Sequence, residues 1–230
     1  MRKVYVPGDR NAAKEGKDMT DLTDAPKSAA PPRRRRKDAR PAEIVEAAFK
    51  VFCAHGYGKA RVDEVAREAG IAKGTVYLYF PNKQALFQAV IEAKVSAALS
   101  RVGDLVDGFE GPTEALLRGM LRQMYENIVL SDTRLLMRII IGEGHQFPEI
   151  RTLYYDKGIR PGMTVLDRVV QRGIDRGEFR DGPIREFPRL VMAPGLMAAI
   201  WGMTFAENEP IDMDRYFEGH LDLVLNGLKA

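Results

Sequence analysis

From residue 41 onward, apolar residues recur at three- and four-residue steps along most of the chain, the period of one face of an α-helix. Ile44, Val45, Ala48, Phe49 and Phe52 define a first helix of about four turns, with Pro41 allowed in its opening turn and Gly56 free to take a left-handed stop. Val62, Val65, Ala66 and Ala69 repeat the pattern over about two turns, ended by Gly70, and Val76, Tyr77 and Phe80 repeat it once more up to Pro81. Asn82 is placed to cap a longer helix in which Leu86, Phe87, Val90, Ile91, Val95 and Leu99 run unbroken to Gly103. At 1.5 Å per residue this is roughly 30 Å of helix, enough to connect a small head to a larger body.

The body repeats the same period. Gly108, Gly111 and Pro112 mark a loop, after which Leu116, Leu117, Met120, Leu121, Met124 and Ile128 share a helix face, and a further helix runs from Asp132 through Glu143. A break at 142–148 is followed by helical spacing at Ile150 to Tyr155, an interruption at Ile159-Arg160-Pro161-Gly162, and another helix from Met163 to Ile174. Leu190 to Ala206 holds no charge, yet a rise of about 26 Å with Pro194-Gly195 in its middle is too short and too broken for a membrane span. A helix apolar all round is buried all round, one side in its own domain and the other against a second subunit. The last helix follows Asp212 and carries Met213, Phe217, Leu221, Val224 and Leu228. No useful strand-like alternation appears, so the fold class is all-α, a three-helix head on a larger helical body.

Charge changes the picture at one end. Residues 1–40 hold 12 Lys/Arg against 6 Asp/Glu, whereas the rest of the chain has 23 against 26. Within that tail Arg33, Arg34, Arg35, Arg36 and Lys37 form a continuous basic run of the kind a polyanion such as DNA compensates. Residues 1–38 thus read as a disordered basic tail, 39–82 as the three-helix head and 83–230 as the larger body.

Composition excludes several classes. The single cysteine, Cys53, allows no internal disulfide framework, and nothing apolar follows Met1 as a leader would, so a cytoplasmic location is expected, with no membrane partner. His55, His145 and His220 stand far apart without metal-ligand spacing; no metal or other cofactor is expected. Without a nucleophile elbow, P-loop or dinucleotide fingerprint, an enzyme is not expected either.

The chemistry lies in the second and third helices. Their Gly70-Ile71-Ala72 corner makes a helix-turn-helix, which presents a short helix to a major groove about 12 Å wide. Close approach to base edges requires small side chains at that helix's start, which Gly74 and Thr75 provide beside the cation of Lys73. Tyr77 and Tyr79 offer hydroxyls to phosphate, their spacing leaving at most one fully inward, with Tyr77 the one expected to face outward; Lys83 adds its charge at the start of the fourth helix.

These residues resemble the tetracycline-repressor (TetR/AcrR) family of bacterial regulators. Five pieces carry the likeness in order: Ile44-Val45-Glu46-Ala47-Ala48-Phe49, Phe52-Cys53-Ala54-His55-Gly56-Tyr57, Val62-Asp63-Glu64-Val65-Ala66, Ala69-Gly70-Ile71-Ala72-Lys73-Gly74-Thr75-Val76-Tyr77, and Tyr79-Phe80-Pro81-Asn82-Lys83. Phe147-Pro148-Glu149 and the run from Leu153 to Pro161 extend it more diffusely into the body. The resemblance implies a dimeric repressor whose double-stranded DNA operator is a near-palindrome, released by a small-molecule effector. Two departures stand out: Arg61 and Ala72 occupy positions where many relatives carry a capping hydroxyl, and Arg61 is instead a candidate phosphate contact.

The expected DNA-binding set is therefore Arg61, Lys73, Gly74, Thr75, Tyr77, Tyr79 and Lys83, joined by Arg33, Arg34, Arg35 and Arg36. A homodimer through the last two helices is expected. A mostly apolar effector is expected among Leu121, Met124, Tyr125, Met137, Ile141, Phe147, Tyr155 and Trp201, since methionine fills adaptable pockets. Arg134 and Arg138, one turn apart, are surface charges or an anion clamp for such a ligand. An architectural DNA-binding dimer without a ligand is the alternative; the length of the body speaks against it.

Overall fold

The sharpest corner of the head is built by one glycine. Gly70 adopts φ 64°, and its N–H bonds to the Arg67 carbonyl at 3.1 Å while that of Ile71 reaches back to Ala66 at 2.9 Å. This pair of bonds is a Schellman stop. It ends helix α2 (Val62–Glu68) and aims the chain into α3 (Lys73–Tyr79). In a computed structural model, residues 33–229 are described; of the tail expected to be disordered at residues 1–38, residues 1–32 lie outside them and residues 33–38 are helical.

Helix α1 (Arg33–Lys59) begins before Pro41 and takes the backbone of the basic run into its opening turns, so Pro41 stands inside it. Its helical geometry breaks at Gly56, with φ 77° and ψ 176°. Asn82 caps α4 (Lys83–Ile91), its Oδ1 accepting from the Ala85 N–H at 2.8 Å. The helix then passes through one π turn at Glu92–Ser96 into α5 (Ala97–Gly108). The connecting rod is therefore continuous beyond Gly103, roughly 39 Å in all.

In the body, α6 (Thr113–Met124) runs into a π turn at Tyr125–Val129, followed by α7 (Arg134–Glu143). The interruption expected at Ile159–Gly162 is not a break. α8 (Pro148–Tyr154) continues through a π turn at Tyr155–Ile159 into α9 (Arg160–Asp175), and the Arg160 N–H bonds to the Tyr155 carbonyl five residues back. The wider turn lets the chain pass Pro161, which has no N–H to give. Two short turns, α10 (Pro183–Glu186) and a 3₁₀ segment at Pro188–Val191, lead to α11 (Ala193–Thr204) and α12 (Met213–Leu228). The apolar stretch from Leu190 is interrupted just ahead of Pro194, where the 3₁₀ segment ends and α11 starts, placing Pro194 in the first turn, where no N–H is needed.

Two hydrophobic cores result. The first joins Ile44, Phe52, Tyr57, Val76, Leu86 and Phe87 of the head to Leu136, Ile139, Ile150 and Tyr154, so residues from beyond 83 complete the head. Phe87 packs edge-on against Phe52 at 5.0 Å and against Tyr57 at 5.2 Å. The second core holds Leu117, Leu121, Leu166, Val169, Ala198, Ala199 and Leu221. Buried within it, His220 Nε2 lies 2.8 Å from the Val191 carbonyl and Nδ1 lies 3.1 Å from the Tyr125 hydroxyl. A neutral ring satisfies both by donating through Nε2 and accepting at Nδ1. Burial lowers the His220 pKa and pushes that of Tyr125 up to about 12.

α11 is not buried all round. Ala198 and Ala199 are closed within the subunit's own core, Ala199 at 0% exposure, while Leu196, Met197 at 54% and Ile200 face outward. On the neighbouring α12, Leu223 is exposed at 66%. No helix among the described residues is long and apolar enough to cross a membrane.

Candidate nucleic-acid interface

The outward face of α3 is set by Val76, which is wholly buried and fixes the rotation of the helix. Lys73, Gly74 and Tyr77 consequently lie exposed, with Thr75 half-exposed beside them, and nothing crowds the position a Gly74 Cβ would take. Tyr77 is 45% exposed, whereas Tyr79 turns partly into the core, as the two-residue spacing of a helix requires. Leu78 is 82% exposed and was not in the expected set. Its offset of two residues from Val76 places it on the opposite side of the helix, a signal present in the sequence.

One of the cations is already paired. Lys73 Nζ sits 2.6 Å from Asp63 Oδ1, and that bond raises its pKa. Both groups are solvent-exposed, so a phosphate can compete for Lys73 at little cost. Arg61 is exposed and occupies the N-cap of α2 without a side-chain cap bond; its own N–H donates to Glu64 Oε2 at 3.0 Å. Glu64 thus supplies the reciprocal half of a capping box, while the hydroxyl half has no counterpart in Arg61.

Lys83 is engaged within the head. Its Nζ donates to the carbonyls of Tyr57 at 2.8 Å, Gly58 at 3.1 Å and Ala60 at 3.4 Å, and lies 4.6 Å from the centre of the Tyr57 ring. An ammonium has three donors, and all three are used. Burial also lowers its pKa, against the opposing pull of Glu143 and Glu149. In this arrangement Lys83 holds the α1–α2 turn instead of presenting a free charge.

The same turn is held from its other side. Glu143, at the end of α7, accepts from the Tyr57 N–H at 3.2 Å through Oε1 and from the Gly58 N–H at 2.6 Å through Oε2. Phe147 meets the Tyr57 ring edge-on at 5.2 Å, and Arg138 donates to the Cys53 carbonyl at 2.7 Å. The Cys53 thiol beside it is pushed up to about 11, chiefly by burial, which makes it a poor nucleophile at neutral pH.

The expected effector residues do not form one cluster. Leu121, Met124 and Tyr125 are buried in the body core with Met137 packed against it, but Phe147 belongs to the head's core, and Ile141 and Tyr155 are exposed. Ile141 follows the buried Ile139 by two positions, which turns it away on the helix. Tyr155 lies in the π turn with Arg160 over its ring. Trp201 is half-buried on α11, its Nε1 donating to the Glu209 carbonyl at 2.8 Å. Arg134 donates to the Val129 carbonyl at 2.9 Å and Arg138 to the Cys53 carbonyl at 2.7 Å. His145 is exposed, and no group of potential metal ligands occurs among the described residues.

A helix-turn-helix head joined by a continuous rod to a helical body defines a class of DNA-binding regulator. Residues 44–90 match the family described as bacterial regulatory proteins, tetR family, and residues 110–215 match the tetracyclin repressor-like C-terminal domain. The chain belongs to the TetR family of transcriptional regulators. It is 25% identical over 140 residues to the fatty acid metabolism regulator protein of Bacillus subtilis, covering 61% of this chain and 71% of that protein. In fold it is similar to SmeT in complex with triclosan, with a TM-score of 0.71 and 22% identity over 84% of this chain and 92% of the other. The transcriptional regulator FadR from Bacillus subtilis in complex with stearoyl-CoA aligns with a TM-score of 0.62 and 20% identity, over 81% and 98% of the two chains.

Proposed function

We propose that this protein is a homodimeric repressor that reads a near-palindromic operator through α3 and releases it when a mostly apolar molecule enters the body. The observation that carries this reading is the outward face of α3, where Gly74 and Thr75 stand clear beside Lys73, Tyr77 and Leu78. Thr75 and Lys73 read base edges, Leu78 offers an apolar contact, and Tyr77, Arg61 and the basic run Arg33–Lys37 engage phosphates. Tyr79 and Lys83 support the head from within.

The outward residues Leu196, Met197 and Ile200 of α11 and Leu223 of α12 supply an apolar face suited to a second copy. A two-fold dimer sets half-sites about one helical turn apart, 34 to 36 Å, or a multiple of it. The molecules named for SmeT and FadR each carry a large apolar part, the aromatic rings of triclosan and the stearoyl chain of stearoyl-CoA, which supports an effector with such a part around Leu121, Met124, Tyr125 and Met137.

Selection from a random duplex library tests the DNA reading: the expected product is an inverted repeat whose affinity falls with salt. Recovery of no preferred sequence overturns it. Titration of stearoyl-CoA and of triclosan against the selected duplex tests the effector class. Reciprocal linkage requires any effector to bind more weakly in the presence of operator by the same factor it weakens DNA binding.

A further inference from the structure

The α1–α2 turn is shaped to be gripped. At Gly56 the backbone turns out of the helix at φ 77°, a region L-residues rarely occupy, and the N–H groups of Tyr57 and Gly58 follow at once. Both point to one carboxylate, that of Glu143, at 3.2 Å and 2.6 Å. The carbonyls of Tyr57, Gly58 and Ala60 point to one ammonium, that of Lys83. The turn's amides are therefore bound by a residue of α7 and its carbonyls by a residue of α4.

The approach of α7 requires both glycines. A Cβ at Gly56 would overlap the Glu143 carboxylate, and a Cβ at Gly58 would lie 3.0 Å and 3.1 Å from carbons of the Phe147 ring. Glu143 and Phe147 flank the short connection between α7 and α8, and Arg138 on the same α7 takes the Cys53 carbonyl of α1. Three side chains from one body segment thus converge on the last turns of α1 and the corner after it. The rod α4–α5 is a second, covalent path between head and body, but the grip on the turn is independent of it.

We infer that Glu143 is a positioning residue for DNA binding: its carboxylate ties the α1–α2 turn to α7 and makes the orientation of the head depend on the position of α7 in the body. This rests on the proposed DNA-binding reading. Movement of α7 by a fraction of an ångström strains two charge-assisted hydrogen bonds at once, because a carboxylate bridging two adjacent N–H groups has little freedom to follow one without losing the other.

Hydrogen–deuterium exchange of the full chain tests the inference, with the duplex selected by the wild type as probe. For the wild type, the duplex is expected to slow exchange in α3 and also in residues 138–154, which touch no DNA. In Glu143→Gln, which puts an amide N–H₂ where an acceptor was, protection of α3 by saturating duplex persists, protection of 138–154 is lost, and duplex affinity falls about tenfold. The salt slope stays as in the wild type, since no phosphate contact is removed. Gly58→Ala presses on Phe147 and on Glu143 Oε2 while keeping the carboxylate's charge, so it carries the same expectation if Glu143→Gln fails to fold. A wild type that selects no duplex overturns the DNA-binding reading and this inference with it. A wild type that selects one, while both variants bind it within twofold and protect 138–154 as the wild type does, overturns the role of Glu143 alone.

Discussion

Head and body solve the same packing problem with opposite local means. In the head, the long α1 and two helices of about two turns, α2 and α3, meet at corners set by single residues: Gly56 and Gly70 with positive φ, and Asn82 as a cap. The body uses long rods and absorbs its irregularities in π turns at Glu92–Ser96, Tyr125–Val129 and Tyr155–Ile159. The head's functional face follows from local rules, because short helices between sharp corners have one way to bury Val65, Val76 and Phe80. The body's functional surfaces depend on how long helices share apolar faces, which no single residue announces.

The largest expected effect tests whether the two regions are separable. Phe87→Ala removes a buried ring in contact with Phe52 and Tyr57 and should cost about 3 to 5 kcal/mol. Because Leu136, Ile139 and Ile150 share that core, the loss should appear in urea as one transition shifted for the whole molecule. A body that melts unchanged while the head unfolds alone would make the two regions independent.

α11 sharpens the contrast further. Met197→Asp places a charge on the outward face and should weaken self-association by roughly a hundredfold or more, an effect of about 3 kcal/mol, with the monomer's helicity intact. Ala199→Asp should instead destabilise the subunit itself, since Ala199 faces its own core. Sedimentation and thermal melting separate the two outcomes, and an unchanged dimer for Met197→Asp would remove this face from the interface.

Lys83 and Tyr77 form a matched pair within the head. Lys83→Ala should cost about 1.5 to 3 kcal/mol of stability through the three carbonyls it leaves. Tyr77→Phe should leave the melting temperature unchanged and lower affinity for every duplex alike. If Lys83→Ala melts as the wild type does and reduces the salt slope by about one, its ammonium belongs to DNA and not to the turn.

The smallest effect concerns pH. His220 has a folded pKa below its ordinary 6.5 because burial disfavours its charged form. The unfolded chain therefore takes up the proton first: stability is complete above pH 6.5 and declines as the pH falls below it, toward the folded value. Thermal melting at pH 7.5 and pH 5.5 should show a drop that His220→Gln reduces. A variant with the wild-type slope would assign that slope to other groups.

The head was legible because its signals are local. A cap, a Schellman glycine and an i, i+3, i+4 stripe each act over fewer than six residues, and together they orient Val76 inward and Tyr77 outward. The effector residues were less legible because periodicity gives the face of a residue but not the neighbour that covers it. Phe147 and Leu121 are both apolar and helical in context, yet one completes the head and the other the body.

By itself the sequence determined an all-helical chain, the position of the helix-turn-helix and the side chains that α3 turns outward, because helical geometry converts spacing into direction without reference to any other part of the molecule. Only the tertiary structure decided what Lys83 and Glu143 do. From the sequence, Lys83 is assigned to DNA and Glu143 has no role, and nothing in their own segments indicates that the turn at Tyr57-Gly58 lies between them. Glu143 meets Gly58 across 85 residues of sequence. A contact of that separation is fixed by the packing of α7 on α1, and its chemistry exists only once both helices are in place.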